Sequence, residues 1–193
     1  MSTLSSELPT KDRLIQSAVA LLAQHGSLAS VSLRAVAADA GVSPTAVYRH
    51  YDDHNDLLEA SLTWCWKEFD EAINVATESV ADPYERFRRQ GQAYVSFALA
   101  RNGVYRVLFS GTAQANAAAA RTGADVFAKL VDVVGEVLAA KSDDRDPFLV
   151  ATQVFSWIHG IADLRCGNDY FPWPSIEDQL DALTETLRLT RRD

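Results

Sequence analysis

Residues 32–51 read SLRAVAADAGVSPTAVYRHY, and this stretch decides the fold because two short helical patterns meet there at a glycine. Gly41 ends the first pattern, where the chain must turn with a positive φ that glycine adopts without strain. Ser43 can cap the second helix, and Pro44 presets the φ of its first residue. Helix, sharp turn and second helix form the unit that places a recognition helix in the DNA major groove. DNA binding is therefore the hypothesis to test.

The hydrophobic spacing around this stretch predicts a small domain of three helices over residues 10–55, preceded by a disordered tail over residues 1–9. Thr10 is expected to cap the first helix, which ends near His25. Ser32 is expected to cap the second. In the third helix Val47 and Tyr51 should face inward. The outward side chains are then those of Thr45, Tyr48, Arg49 and His50.

The remaining chain, residues 56–193, predicts a larger helical domain with no convincing strand. Its fourth helix should begin at a cap, Asp53, and the fifth at Asp82-Pro83. The predicted fourth helix runs to about Ser79, and the fifth runs to about Arg101, where Asn102-Gly103 ends it. The sixth covers 104–110, and the seventh has an ambiguous start because Gly123 can interrupt it. The eighth covers 147–167, and the ninth starts at Ser175. The fold class is all-α with nine helices.

Composition limits the function classes. The chain has 193 residues, is 48% hydrophobic and contains two cysteines at unrelated positions, which suggests reduced thiols in a cytoplasmic protein. It has no apolar run of membrane-spanning length, and its first residues lack an apolar h-region, so we expect no secretory signal. The net charge of −8 counts against DNA binding by bulk electrostatics. The net charge of residues 1–60 is also negative, with four basic and seven acidic side chains. The basic residues are Lys11, Arg13, Arg34 and Arg49, and the acidic residues are Glu7, Asp12, Asp39, Asp52, Asp53, Asp56 and Glu59.

The segment LRAVAADAGVSPTAVYRHYDDHNDLLEA, residues 33–60, resembles the helix-turn-helix and the start of the fourth helix of the TetR family of one-component transcriptional regulators. The number of helices and the chain length fit the same family. Trp157-Ile158-His159-Gly160 looks like the Trp-His-Gly signature of one TetR C-terminal subgroup, and VYRVLFSG at 104–111 fits that subgroup as well.

The resemblance implies a homodimer in which helices eight and nine form a four-helix bundle with their counterparts. It also implies a palindromic double-stranded DNA operator and a ligand cavity in each C-terminal domain, so that a small molecule releases the repressor. The aromatic side chains described below favour an apolar or aromatic effector. A dimer must match half-sites about one helical turn apart, so a small change in the spacing of its recognition helices is costly.

The same resemblance assigns the DNA-binding residues. Arg34, Thr45, Ala46 and Arg49 match positions at base edges, and guanidinium donors suit the acceptors of guanine. Tyr48 and His50 match positions that grip phosphate. His54 replaces the family's usual lysine, which removes a fixed cation near phosphate. The complete predicted set is Ser32, Arg34, Ser43, Pro44, Thr45, Ala46, Tyr48, Arg49, His50 and His54.

Aromatic side chains on several predicted helices suit an apolar ligand cavity with a few polar groups. Ordinary core packing is the alternative for each of them. The predicted ligand-binding set is Trp64, Phe69, Tyr94, Phe97, Tyr105, Phe109, Phe127, Phe155 and His159.

The sequence gives little indication of a metal, catalytic or nucleotide-binding site. His50 and His54 have the spacing of a metal pair but no third ligand, so we expect no metal. Ser156, His159 and Asp163 could be neighbours on one helix, yet no oxyanion hole is indicated. No glycine-rich nucleotide motif is present, and no cofactor is expected. Two alternatives remain open: a helical small-molecule carrier or enzyme whose DNA-binding motif is non-functional, and a dimeric scaffold.

Overall fold

The computed structural model describes residues 9–110, 117–168 and 170–191. Within these ranges it contains nine α-helices, a short 3-10 helix over Leu28–Ser30 and no strand, which confirms the predicted all-α class. The predicted tail falls almost entirely on residues 1–8, outside the described residues. The helices are α1 (Thr10–His25), α2 (Leu33–Asp39), α3 (Pro44–Val47), α4 (His54–Thr77), α5 (Pro83–Ala100), α6 (Asn102–Leu108), α7 (Ala117–Ala140), α8 (Pro147–Gly167) and α9 (Ile176–Thr186).

Most of the predicted helix starts are confirmed by side-chain caps. A serine or aspartate oxygen accepts a backbone N–H three residues ahead, satisfying a donor that the first helical turn leaves unpaired. The one wrong cap is Thr10: it is the first residue of α1, Pro9 precedes it, and no side chain caps that helix. The confirmed caps, with their oxygen-to-nitrogen distances, are Ser32 to Ala35 at 3.1 Å, Ser43 to Ala46 at 3.3 Å, Asp53 to Asp56 at 2.9 Å, Asp82 to Glu85 at 3.0 Å and Ser175 to Asp178 at 3.0 Å.

Three predicted boundaries differ from the structure. The helix α3 stops at Val47, because the amide of His50 bonds to the carbonyl of Val47 at 2.9 Å in a tighter turn. Asn102 and Gly103 do not end α5; they begin α6, since Arg101 (φ −123°, ψ 41°) already breaks the helix. Gly123 does not interrupt α7, which is continuous through it.

The chain divides into two compact units. The first comprises residues up to Glu68 together with Arg101–Thr122, and the second comprises Phe69–Ala100 together with the chain from Gly123. In the first unit α1 packs against α2 and α6, and α2 packs against α3. Its core is closed by fully buried aliphatic side chains, among them Leu14, Leu22, Val36, Val47 and Leu57.

In the second unit α5 packs against α8 and α9. The core of this unit consists of Phe87, Val133, Val134, Val137, Leu138, Val150, Ala151, Val154, Leu183 and Leu189. No described helix is long and apolar enough to cross a membrane.

Two basic side chains donate hydrogen bonds to backbone carbonyls at the C-terminal end of α9. The ammonium of Lys141 donates to the carbonyls of Arg188 at 2.6 Å and Thr190 at 2.8 Å, and the guanidinium of Arg145 donates to the carbonyl of Leu187 at 2.9 Å. These carbonyls lie at the negative end of the α9 dipole. The two basic side chains therefore stabilise it both by hydrogen bonding and by their positive charge.

Candidate DNA-binding surface and ligand site

The turn between α2 and α3 has the geometry that its sequence predicts. Gly41 has a φ of +68°, and the amide of Val42 donates to the carbonyl of Ala37 at 2.9 Å. This bond satisfies a carbonyl that the end of α2 leaves free. Ser43 then caps α3, so both sides of the turn are held by local hydrogen bonds.

The predicted DNA-contacting side chains lie mainly on the surface. Tyr48 is 58% exposed. The side chains of Ser32, Arg34, Ser43, Pro44, Thr45, Arg49 and His50 are also exposed, and Ala46 is half-buried. Val47, between them, is fully buried and anchors the turn in the first unit. Thr45 on α3 and Tyr48 and Arg49 in the turn that follows it are therefore all accessible to a partner molecule.

His54 has a structural partner that the sequence does not reveal. Its Nε2 donates to the backbone carbonyl of Val31, in the connection before α2. The imidazole is half-buried and ties the start of α4 to that connection. The two residues are 23 positions apart, so no local pattern could have signalled the bond.

The acidic residues around His54 also have structural partners. The carboxylate of Asp53 accepts the amide of Asp56 at 2.9 Å, and the carboxylate of Asp56 accepts the amide of Asp52 at 3.1 Å. This reciprocal capping places negative charge at the positive end of the α4 dipole. Two of the acidic side chains that make this domain negative, Asp53 and Asp56, therefore serve to cap α4.

The predicted ligand-binding residues fall into two groups. Trp64, Tyr105 and Phe109 belong to the first unit, where the rings of Tyr105 and Phe109 lie 4.9 Å apart and Trp64 is exposed. The other six belong to the second unit and form what we call the aromatic cluster: Phe69, Tyr94, Phe97, Phe127, Phe155 and His159.

The aromatic cluster is joined by edge-on and stacked ring contacts. The ring centroid of Phe69 lies 5.3 Å from that of Tyr94 and 5.1 Å from that of Phe97. Phe155 lies 5.7 Å from Phe127 and stacks on the imidazole of His159 at 5.5 Å. Such pairs add specific geometry to apolar burial.

A polar pair lies within these rings. The hydroxyl of Tyr94 and Nδ1 of His159 are 2.9 Å apart. Burial lowers the pKa of His159 below its usual 6.5, and the carboxylate of Asp163 opposes that shift. Burial thus favours the neutral imidazole, which carries both a donor and an acceptor. Apolar walls with a few polar groups are typical of small-molecule sites.

The described residues do not assemble the catalytic triad considered from the sequence. The hydroxyl of Ser156 donates to the carbonyl of Thr152 at 2.8 Å, while Nδ1 of His159 pairs with Tyr94. Within the described ranges, no group of three His, Cys, Asp or Glu side chains could hold a metal ion.

Solved structures of other proteins share this architecture. A protein of unknown function from Rhodococcus sp. RHA1 is 27% identical, with a TM-score of 0.80 over 94% of each chain. A putative TetR-family regulator from Vibrio parahaemolyticus is 18% identical, with a TM-score of 0.74 over 93% of this chain and 96% of that one. FadR from Bacillus subtilis, solved in complex with stearoyl-CoA, is 14% identical, with a TM-score of 0.73 over 91% and 96%.

Two family models match the sequence itself. Residues 14–61 match the model described as bacterial regulatory proteins, tetR family. Residues 87–187 match the model described as the tetracyclin repressor-like C-terminal domain. The second match alone spans more than half of the chain, and the first covers the helix-turn-helix whose geometry is described above. The chain belongs to the TetR family of DNA-binding transcriptional regulators.

Proposed function

We propose that the protein is a repressor that binds a palindromic operator as a homodimer and leaves it when a small molecule binds. The observation that carries this proposal is the capped helix α3 and its following turn, along which Thr45, Tyr48 and Arg49 are all exposed. In this proposal residues 10–55 form the DNA-binding domain, residues 56–193 bind the effector and the partner subunit, and the protein acts in the bacterial cytoplasm.

The proposed contacts divide into two classes. Arg34, Thr45, Ala46 and Arg49 read base edges, whereas Tyr48, His50 and His54 lie against phosphate. Ser32, Ser43 and Pro44 set the start of each helix and bring backbone N–H groups near the phosphate chain. With few cations on this surface, the affinity depends on two half-sites being engaged together.

The exposed face of α8 supports the proposed dimer. Leu149, Trp157 and Leu164 recur at helical spacing and are 57%, 40% and 58% exposed. Large apolar side chains repeated on one face of a helix are typical of a surface that another subunit covers. We propose that α8 and α9 form a four-helix bundle with their symmetry mates.

The aromatic cluster supports an apolar or aromatic effector, with Tyr94 and His159 as its polar contacts. The aromatic residues of the first unit, Trp64, Tyr105 and Phe109, stay in the proposed ligand-binding set. The Bacillus subtilis FadR was solved with stearoyl-CoA, and that neighbour supports small-molecule binding in this fold.

Fluorescence anisotropy with the DNA upstream of the protein's own gene tests the proposal. At low salt we expect specific binding that Arg34→Ala with Tyr48→Ala abolishes. Arg106→Ala, at an exposed arginine of α6 outside the proposed surface, is the matched control. Absence of specific binding, together with a reporter phenotype untouched by the double variant, would instead favour a carrier or enzyme with a non-functional motif.

A further inference from the structure

A polar cleft lies between α4, α5 and α7 within the second unit. Its volume is about 230 Å³, slightly below the roughly 300–1,000 Å³ of drug-sized ligand sites, so it suits a smaller molecule. The cleft shares no residue with the aromatic cluster. The lining residues on which the inference depends are Asn74, Arg86, Gln90, Lys129, Asp132 and Glu136.

Gln90, in the middle of α5, is the unusual member of this lining. Its side chain is only 8% exposed, and among the described residues its amide has no hydrogen-bond partner. The amide is not among the fully enclosed polar groups without a partner, so its donor and acceptor face the open cleft. Gln90 therefore presents an unused donor and an unused acceptor at the cleft.

The charged groups of the cleft are paired, with one exception. The guanidinium of Arg86 forms an ion pair with Glu136. The ammonium of Lys129 lies 2.5 Å from a carboxylate oxygen of Asp70 and 3.1 Å from the side-chain oxygen of Asn74. Asp132 has no ion pair or hydrogen bond from its side chain within the described part of the chain. The uncommitted charge of the cleft is thus negative.

We propose that this cleft is a binding site for a small primary amine that also carries an amide. The ligand's amide would form complementary hydrogen bonds with the amide of Gln90, and its ammonium would pair with Asp132. The paired states of Arg86 and Lys129 leave no free cation for an anionic ligand. This site goes beyond the proposed function, because it requires neither DNA nor the aromatic cluster.

Isothermal titration calorimetry of the full chain tests the site with probes of one size. We expect 4-aminobutanamide, or its homologue one carbon shorter or longer, to bind with a Kd of about 1 mM, as small ligands of this size do. Pentanamide replaces the ammonium with a methyl group, and glutaramate replaces it with a carboxylate. Both should bind at least about tenfold more weakly, since each loses the pairing with Asp132.

Two substitutions locate the binding. Gln90→Leu and Asp132→Asn should each weaken 4-aminobutanamide at least about tenfold. Gln92→Leu on α5 and Asp125→Asn on α7 lie outside the cleft lining and are the matched controls, with unchanged affinity. Without ligand, Gln90→Leu should keep a Tm within a few degrees of the unmodified protein, because the amide it removes faces the cleft and holds no hydrogen bond. A retained Tm shows that the variant folds.

Three results would overturn the proposal: no heat with any of the three aminoamides at 10-fold their expected Kd, equal affinity for pentanamide or glutaramate, or affinity unchanged in the Gln90 and Asp132 variants. The readout contains no DNA. A failure here therefore leaves the proposed repressor function standing, and a failure of operator binding leaves this site standing.

Discussion

Gly103 lies directly against the backbone of Ala23: a Cβ placed on the glycine would be 2.0 Å from the carbonyl oxygen of that alanine. Both residues belong to the first unit, where α6 meets the end of α1. The obstacle is backbone, which has little freedom to give way. Glycine is thus required at position 103 because two helices approach closely, and not because the helix ends there.

Gly103→Ala should therefore destabilise the protein by about 2 kcal/mol or more, because α6 must move away from α1. Urea denaturation followed by circular dichroism measures this change. Gly135→Ala is the matched control: its Cβ would meet Pro147 at an ordinary 3.6 Å, so it should gain about 0.5–1 kcal/mol from helix propensity. Equal stability of Gly103→Ala and the unmodified protein would contradict the close-approach argument.

Ser43 allows capping and DNA binding to be separated. Ser43→Ala should cost about 1 kcal/mol, because it removes the acceptor for the amide of Ala46. Ser43→Asp keeps a capping oxygen and should retain the Tm, yet it adds a negative charge at the proposed phosphate surface. Its operator affinity should fall at least about tenfold at low salt. An aspartate variant that binds DNA as tightly as the unmodified protein would place Ser43 away from the phosphates.

His159 should make the stability depend on pH. Burial lowers its pKa in the folded protein below the usual 6.5, so between 6.5 and that lowered pKa the unfolded chain binds a proton that the folded chain does not. The free energy of unfolding therefore falls as the pH drops through this window. His159→Gln keeps an amide that can pair with Tyr94 but does not titrate, so Tm should decline less steeply from pH 7 to pH 5.

The same substitution at exposed His25 is the control for this experiment, since it removes a histidine on the surface of α1. If His159→Gln and the unmodified protein show identical Tm profiles against pH, burial of His159 does not contribute to the acid sensitivity.

Cys65 should be inert in the folded protein. Burial raises the pKa of its thiol to about 12, and the carboxylate of Glu68 adds to the shift while Arg101 opposes it. At pH 8 only about one thiol in ten thousand is then the reactive thiolate. In a Cys166→Ser variant, iodoacetamide should leave Cys65 unmodified in buffer and modify it in urea, as intact-mass spectrometry can measure. Rapid modification without urea would mean that α4 opens around this residue.

Features set by neighbouring residues were predictable from the sequence. Ser32, Ser43, Asp53, Asp82 and Ser175 were expected to begin helices, and each accepts a backbone amide only three residues away. The turn at Gly41 depends equally on local backbone geometry. Helix caps can therefore be predicted from the sequence, because the cap and its partner are close neighbours in the chain.

Features set by distant residues were not predictable. Asn102-Gly103 has the composition of a helix end, and only the proximity of Ala23 explains why it starts a helix instead. The position of His54 in the motif indicates only a lost cation, whereas its partner is the carbonyl of Val31, 23 residues earlier in the chain. The division of the aromatic residues between the two units likewise depends on helix pairing.

The exposed indole of Trp157 on α8 makes the protein its own spectroscopic reporter. A partly hydrated indole emits at longer wavelength than one that is covered. If association covers Trp157, the emission maximum of the unlabelled protein should shift with protein concentration, and that dependence gives the association constant. The other three tryptophans, Trp64, Trp66 and Trp173, contribute a background to the emission. Comparison with Trp157→Phe identifies the part of the emission that comes from Trp157. The proposed association through α8 can thus be tested at submicromolar concentration without attaching a dye to that helix.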